Sequence, residues 1–190
     1  MRHKYQGIPV NGYSEFMKNL VNGIPLILNL DYLRNREMFD VKKMVIFTGP
    51  IDEFFNFEYG KLEYRGQRRF HSYIEDTEFY QPCGQVNYPL QEHGEHVRIL
   101  EWKHMLPAEY LHKIKGTVIT KEIPFSPADS NEYEYPFPDS KNQFIYKKYE
   151  QKALINSKLL VCGRLGEYKY YDMDQAIARA KCIVNKIVEG

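Results

Sequence analysis

No apolar run in this sequence approaches the roughly 20 residues a helix needs to cross a bilayer, and no signal peptide precedes the first motif. The chain is therefore expected to be cytoplasmic, with no membrane partner. Cysteine is scarce. Cys83, Cys162 and Cys182 are widely spaced and form no Cys-x-x-Cys pair, which argues against a disulfide framework or a zinc site and predicts buried, inert thiols. An excess of either charge is also missing, with 26 basic against 25 acidic residues, so no broad field favours nucleic acid or an anionic membrane. No Ser-His-Asp or paired-carboxylate constellation stands out, and no internal repeat is visible. What the chain has in plenty is tyrosine, 16 in 190 residues, a length that suits one domain or parts of two.

The densest stretch is 163–174, Gly-Arg-Leu-Gly-Glu-Tyr-Lys-Tyr-Tyr-Asp-Met-Asp, between the apolar run 159–162 and a helix-patterned tail. Gly163 and Gly166 permit backbone conformations or approaches that a side chain would block. Asp172 or Asp174 can cap the helix that follows, a role favoured over an acid–base pair. In that helix Met173, Ala176, Ile177, Ala180, Ile183, Val184 and Ile187 recur at three- and four-residue steps as one apolar stripe. Its first turn offers free N–H donors and a partial positive charge, suited to an oxygen-rich ligand such as a diphosphate or a flavin carbonyl. A capped strand-turn-helix with no ligand has the same spacing.

Upstream, Tyr5-Gln6-Gly7-Ile8-Pro9 and Gly12-Tyr13-Ser14 lead into a short amphipathic helix ending near Val21. Residues 24–30 alternate and predict a strand, and residues 44–47 predict a short buried strand running into Thr48-Gly49-Pro50 and a helix start. Residues 62–74 read as a strand with aromatics among Arg65, Arg68 and Arg69; a sheet with one wet face accounts for them better than nucleic-acid stacking. Strands are predicted at 86–89 and 97–101, joined by a loop whose Glu92, His93, Glu95 and His96 read as a solvated turn rather than a metal site. A further strand at 117–123 leads to a surface connection at 132–138. Asp139-Ser140-x-x-Gln143 then opens a helix to about Leu154, with Phe144, Ile145 and Tyr149 inward.

Residues 163–173 resemble the C-terminal signature Gly-Arg-x-Gly-x-Tyr-x-Tyr-x-Asp-Met of the UDP-galactopyranose mutases. The resemblance extends to the opening aromatic-Gln-Gly-x-Pro segment, to Asn87-Tyr88, to Arg98-Ile99 and to Tyr135-Pro136-Phe137. It implies an α/β (mixed α+β) fold: the C-terminal part of an FAD-binding, Rossmann-like flavoprotein with an antiparallel substrate-side sheet. Residues 1–57 and 158–190 would be returning segments of the FAD-binding domain, and 58–157 the substrate-binding portion. The implied activity is the non-redox interconversion of UDP-galactose and UDP-galactofuranose, the latter for cell-surface polysaccharide, with reduced FAD as the nucleophile and no protein side chain as catalyst.

By the same resemblance Tyr5 lines the uridine pocket, and Asn87, Arg98, Tyr135 and Tyr170 bind substrate, the last three at the diphosphate. A guanidinium suits that task because it stays charged and forks onto two phosphate oxygens. Arg98 could equally be a structural partner of Glu101. Thr48, Gly49, Gly163, Arg164 and the backbone of Tyr171, Asp172, Met173, Asp174, Gln175 and Ala176 would face FAD. Two departures stand out: Val97 replaces the family's threonine, with a loop about one residue longer before it, and Glu134 replaces an aromatic. A carboxylate beside a phosphate repels it, so Glu134 is expected to face outward.

Only about the second half of the family's chain is matched. The Gly-x-Gly-x-x-Gly turn, the tryptophan-bearing uridine region and a second diphosphate arginine have no counterpart here. The expectation is an incomplete enzyme whose partner is the N-terminal FAD-binding half, with a homodimer left open. Two alternatives remain: another flavoenzyme of the same fold, such as a mutase for a different UDP-hexose, or an excised domain acting only as a binding module.

Overall fold

Two sheets of opposite character organise the chain in the computed structural model, which describes residues 7–90, 92 and 94–189. In chain order the elements are α1 (Gly12–Leu20), β1 (Val45–Phe47), α2 (Ile51–Phe54), β2 (Tyr64–Ile74), β3 (Gln85–Asn87), β4 (Arg98–Glu101) and α3 (Ala108–Leu111). They continue with β5 (Thr117–Phe125), β6 (Tyr135–Pro136), α4 (Ser140–Ile155), β7 (Leu159–Val161), α5 (Gly163–Gly166) and α6 (Met173–Glu189).

The small sheet is a parallel pair in which Val45, Ile46 and Phe47 of β1 lie opposite Leu159, Leu160 and Val161 of β7. Parallel strands need a long crossover, and here the crossover contains the whole second sheet. That sheet has five antiparallel strands in the order β3-β4-β5-β2-β6. Arg68 of β2 faces Ile123 of β5, and Arg98 of β4 faces Glu122 of β5, a register that decides which side chains share a face.

The core gathers where the small sheet meets helices. Phe47, Ile51, Phe54, Leu62, Tyr64, Tyr149, Ala153, Leu159 and Tyr168 form one buried cluster. Two of its three tyrosines, Tyr149 and Tyr168, find backbone partners for their hydroxyls, while the Tyr64 hydroxyl is buried without one among the described residues and its ring stacks on Tyr133. Tyr149 donates to the Gly60 carbonyl at 2.8 Å and accepts from the Tyr59 N–H at 2.9 Å. Tyr168 reaches the Glu63 carbonyl at 2.6 Å and accepts from the Phe137 N–H at 3.1 Å, tying the C-terminal segment to the start of β2. α4 packs here, against α2 and β7.

Several expectations are corrected. Residues 24–30 form no strand: Ile24, Leu26, Ile27 and Leu28 are each at least 57% exposed and the segment pairs with no strand. Alternation alone does not make a strand without an edge to join. Ile46 is exposed, so the 44–47 segment is buried on one side only. Residues 132–138 are not wholly a surface connection. Tyr135 and Pro136 add the edge strand β6 opposite Arg65 and Tyr64, where proline's missing N–H costs nothing.

In α4 the inward positions are Ile145, Tyr149 and Ala153, one helical step apart, while Phe144 is exposed beneath Lys148. The α6 stripe is real but largely uncovered, with Ile183 its one buried member. Cys162 is buried as expected, whereas Cys83 and Cys182 are exposed, Cys182 because α6 has little packed against it. Arg65 and Arg68 each lie over a phenylalanine ring, Phe137 and Phe125 respectively.

Candidate functional site

The antiparallel register puts a row of charged side chains across one face of the larger sheet. Asn87, Arg98, Glu122 and Arg69 follow one another on β3, β4, β5 and β2. Glu122 is nearly buried and bridges both arginines: Arg98 Nε donates to one carboxylate oxygen at 2.6 Å, and Arg69 Nε to the other at 3.1 Å. Arg69 then turns its two terminal nitrogens onto Glu134, at 2.8 and 3.0 Å. Glu134 does not face outward as expected. Its carboxylate is clasped by Arg69 because β6 docks beside β2 with Arg65 opposite Tyr135. Held first by Glu134 and then by Glu122, the Arg69 guanidinium is pushed further toward its charged form. Arg98 pairs with Glu122, not Glu101, which lies on the opposite face of β4.

The row ends at a second cluster. The Glu134 carbonyl accepts from Arg164 Nη1 at 3.1 Å, and Arg164 also donates to the Tyr171 carbonyl through Nε and Nη2. Its guanidinium lies 4.6 Å from the centre of the Tyr170 ring and 5.6 Å from that of Tyr135. The two tyrosine rings stack at 5.6 Å and 22°. Tyr170 donates its hydroxyl to Asp172 at 2.7 Å, and that bond, more than burial, raises the phenol's pKa. The Tyr135–Tyr170 pair is thus joined to the row that leads to Arg98 through Glu134, whose carbonyl meets Arg164 and whose carboxylate meets Arg69.

A second surface lies at the C-terminal ends of the parallel strands, where α/β folds place their ligands. Thr48 and Gly49 follow β1, and Cys162 donates its N–H to the Phe47 carbonyl at 3.0 Å, bringing Gly163 alongside Thr48. Gly163 has φ +81°, and a Cβ on Gly166 would come within 2.8 Å of Val161. Both glycines are therefore demanded by the turn. Gly163–Gly166 itself coils into the short helix α5 rather than an open turn.

At the start of α6, Gln175 reaches back to accept the Asp172 N–H at 3.0 Å while the Asp172 carbonyl accepts from Ala176 at 2.8 Å. The Asp172 carboxylate is occupied by Tyr170, so reciprocal capping comes from Gln175. Met173, Asp174 and Ala176 are exposed there.

Tyr5 and His93 lie outside the described residues. Among the described residues no group of three or more His, Cys, Asp or Glu is placed to hold a metal ion, and His96 packs its ring on Tyr88 at 4.8 Å. No helix of the described residues is long and apolar enough to cross a membrane.

The family model for UDP-galactopyranose mutase matches residues 1–170, through both tyrosines of the stacked pair. The chain belongs to the UDP-galactopyranose mutase family. Among curated relatives, dTDP-fucopyranose mutase of Escherichia coli is 34% identical over 184 residues, covering 94% of this chain and 48% of the relative. A probable UDP-galactopyranose mutase of Klebsiella pneumoniae is 30% identical, covering 94% and 45%. UDP-galactopyranose mutase of Mycoplasma genitalium is 34% identical, covering 90% and 45%. The chain spans about half the length of these curated relatives.

Membership in this mutase family gives the row a frame. Asn87 and Arg98, both expected to bind substrate, are directly opposed across β3 and β4, and Tyr135 and Tyr170 are brought into contact. Sequence reasoning missed Glu122, Arg69 and Glu134 as neighbours of Arg98. Their signal was the alternation of polar residues in β2 and β5, which assigns faces but not which positions pair.

Proposed function

We propose that the chain supplies the diphosphate side and one flavin edge of a mutase that interconverts UDP-galactopyranose and UDP-galactofuranose with reduced FAD. The observation that carries this reading is the stacked Tyr135–Tyr170 pair under Arg164, continuous with Arg98 through Glu122, Arg69 and Glu134. In this reading Arg98, Tyr135 and Tyr170 hold the diphosphate and offset the charge it gains as it departs. Asn87 stands beside Arg98 at the same rim, and the uridine role of Tyr5, outside the described residues, rests on the family resemblance alone. Bound reduced FAD supplies a nucleophile for the sugar's anomeric carbon.

The residues at the strand ends fit a flavin edge. Gly166 lets α5 pack directly on Val161 and the Phe47 carbonyl at the strand ends, and Met173, Asp174 and Gln175 hold the first-turn amides of a 17-residue helix. Thr48, Gly49, Gly163 and the 171–176 backbone would border the cofactor. Arg164 would act there through Tyr171, whose carbonyl it fixes. We assign residues 1–57 and 158–190 to the cofactor domain and 58–157 to the substrate side.

The rest of the cofactor site belongs to the partner we propose, an N-terminal FAD-binding half. It would cover apolar side chains left exposed on α1 (Met17, Leu20), on the 24–28 segment and on α6 (Ile177, Val184). That occupant is favoured because curated relatives are about twice as long as this chain.

A second reading, conversion of a dTDP-sugar, is favoured by the 34% identity to dTDP-fucopyranose mutase; the diphosphate is common to both. The test is recombination with the FAD-binding half of a family member, followed by assay of UDP-galactofuranose conversion in the presence of dithionite. We expect the chain alone to be colourless, and the recombined protein to be yellow and active. Arg98→Ala should abolish turnover with flavin retained. Flavin binding with conversion of dTDP-fucose but not of the UDP-sugar would replace the first reading by the second, and neither conversion would overturn both.

A further inference from the structure

Arg98 is held by a carboxylate, and a carboxylate is a poor neighbour for a diphosphate. Glu122 is almost wholly buried and takes Nε of Arg98 at 2.6 Å, so its charge acts on the very guanidinium that the proposed function assigns to the diphosphate. It cannot turn away to solvent. What offsets it is Arg69, which binds the other oxygen of Glu122. The Arg98 Nη2 edge has no protein partner among the described residues, whereas Arg69 spends its whole fork on Glu122 and Glu134.

Charges therefore alternate along the row: Arg98, Glu122, Arg69, Glu134. Glu134, with a side chain only 25% exposed, sits where the family resemblance places an aromatic, immediately before Tyr135. It is anchored twice, by its carbonyl on Arg164 and by its carboxylate on Arg69. The row is net neutral with Glu134 present and gains one positive charge without it.

We infer that Arg69 is a positioning residue that keeps Arg98 available to a nucleoside diphosphate by sharing the charge of Glu122, and that Glu134 sets how strongly it does so. This rests on the diphosphate reading of Arg98. Removing Arg69 leaves the full charge of Glu122 on Arg98, so diphosphate affinity falls. Removing the charge of Glu134 releases Arg69 to draw harder on Glu122, so affinity rises. A purely structural network gives a different pattern, since breaking it at either place loosens β6 and Tyr135 alike.

The test is UDP binding to the 190-residue chain, followed by ligand-observed saturation-transfer NMR up to millimolar UDP, with circular dichroism to check folding. We expect Arg69→Gln to weaken UDP by about fivefold, Arg69→Lys to restore most of the affinity, and Glu134→Gln to tighten it by about threefold, the scale of one charge acting through a partly wet path. Weakening by both Arg69→Gln and Glu134→Gln, or no change in either while Arg98→Gln still abolishes UDP binding, overturns the inference and leaves the diphosphate reading intact. If Arg98→Gln leaves UDP affinity unchanged, or the unaltered chain binds no UDP, the diphosphate reading itself fails.

Discussion

Glu101 has no exposed surface, yet its environment favours the carboxylate. Burial pushes its pKa up, but the N–H groups of Tyr80 and Gln81, the Thr117 hydroxyl and nearby His104 outweigh it and hold it below the ordinary value. Because the folded pKa lies below the unfolded one, this stabilisation is complete above about pH 5 and fades as pH falls through the folded value. Glu101→Gln keeps the shape but turns an NH2 toward a donor, and should cost about 3 kcal/mol at pH 7 in urea unfolding. The same variant should lose less of its remaining stability than the parent between pH 6 and pH 3.5.

Gly163 makes a separate residue-scale prediction. A Cβ there would meet Thr48 only at ordinary contact, 3.5 Å, so the cost of Gly163→Ala is the left-handed backbone at φ +81°, about 1–2 kcal/mol. At this scale local motifs singled out Arg98, Asn87, Tyr135 and Tyr170, and the structure sets Asn87 opposite Arg98 and stacks Tyr135 on Tyr170. Glu122 and Glu101 were not legible. Their roles come from partners 24 and 21 residues away, Arg98 and Tyr80, and separation along the chain says nothing about pairing.

Elements were readable where local chemistry and packing agree. Asp139 caps α4 by accepting the Asn142 N–H at 2.7 Å, and also takes the Asn142 side-chain amide at 2.7 Å. Asn142 in turn accepts the Glu63 N–H at 3.0 Å, so the cap fastens the helix to the start of β2. Asp139→Ala should therefore cost about 1 kcal/mol or slightly more, measured as a lower urea midpoint. The strands around 62–74, 97–101 and 117–123 were legible because each has two neighbours or a long partner. Residues 24–30 carry a comparable pattern and remain unpaired, because alternation reports only that one side wants cover. α6 was legible as a helix but not as an uncovered one: its stripe states a need for a partner, not where that partner lies.

For the whole molecule, the uncovered apolar side chains decide behaviour in solution. Met173, Ile177, Val184 and Ile187 are each at least 42% exposed along α6. Patches of this kind mark interaction surfaces. The chain alone should show concentration-dependent association in sedimentation velocity. Ile177→Lys with Val184→Lys should render it monodisperse and, in the recombination assay, prevent flavin recovery. Retained flavin recovery by that double variant would remove α6 from the interface with the FAD-binding half. The fold class was legible from the family signature, whereas the β1–β7 pairing that brings residues 45–47 and 159–161 together was not, since no local pattern links segments so far apart.

The central claim is that Arg98, Tyr135 and Tyr170 form one diphosphate surface. The most direct measurement is a UDP titration of the chain, isotope-labelled at arginine Nε and tyrosine ring positions, followed by NMR. Saturable shifts concentrated at Arg98, Tyr135 and Tyr170, smaller with uridine than with UDP, are predicted. Silence at those three residues while others respond, or equal responses to uridine and UDP, would contradict the account.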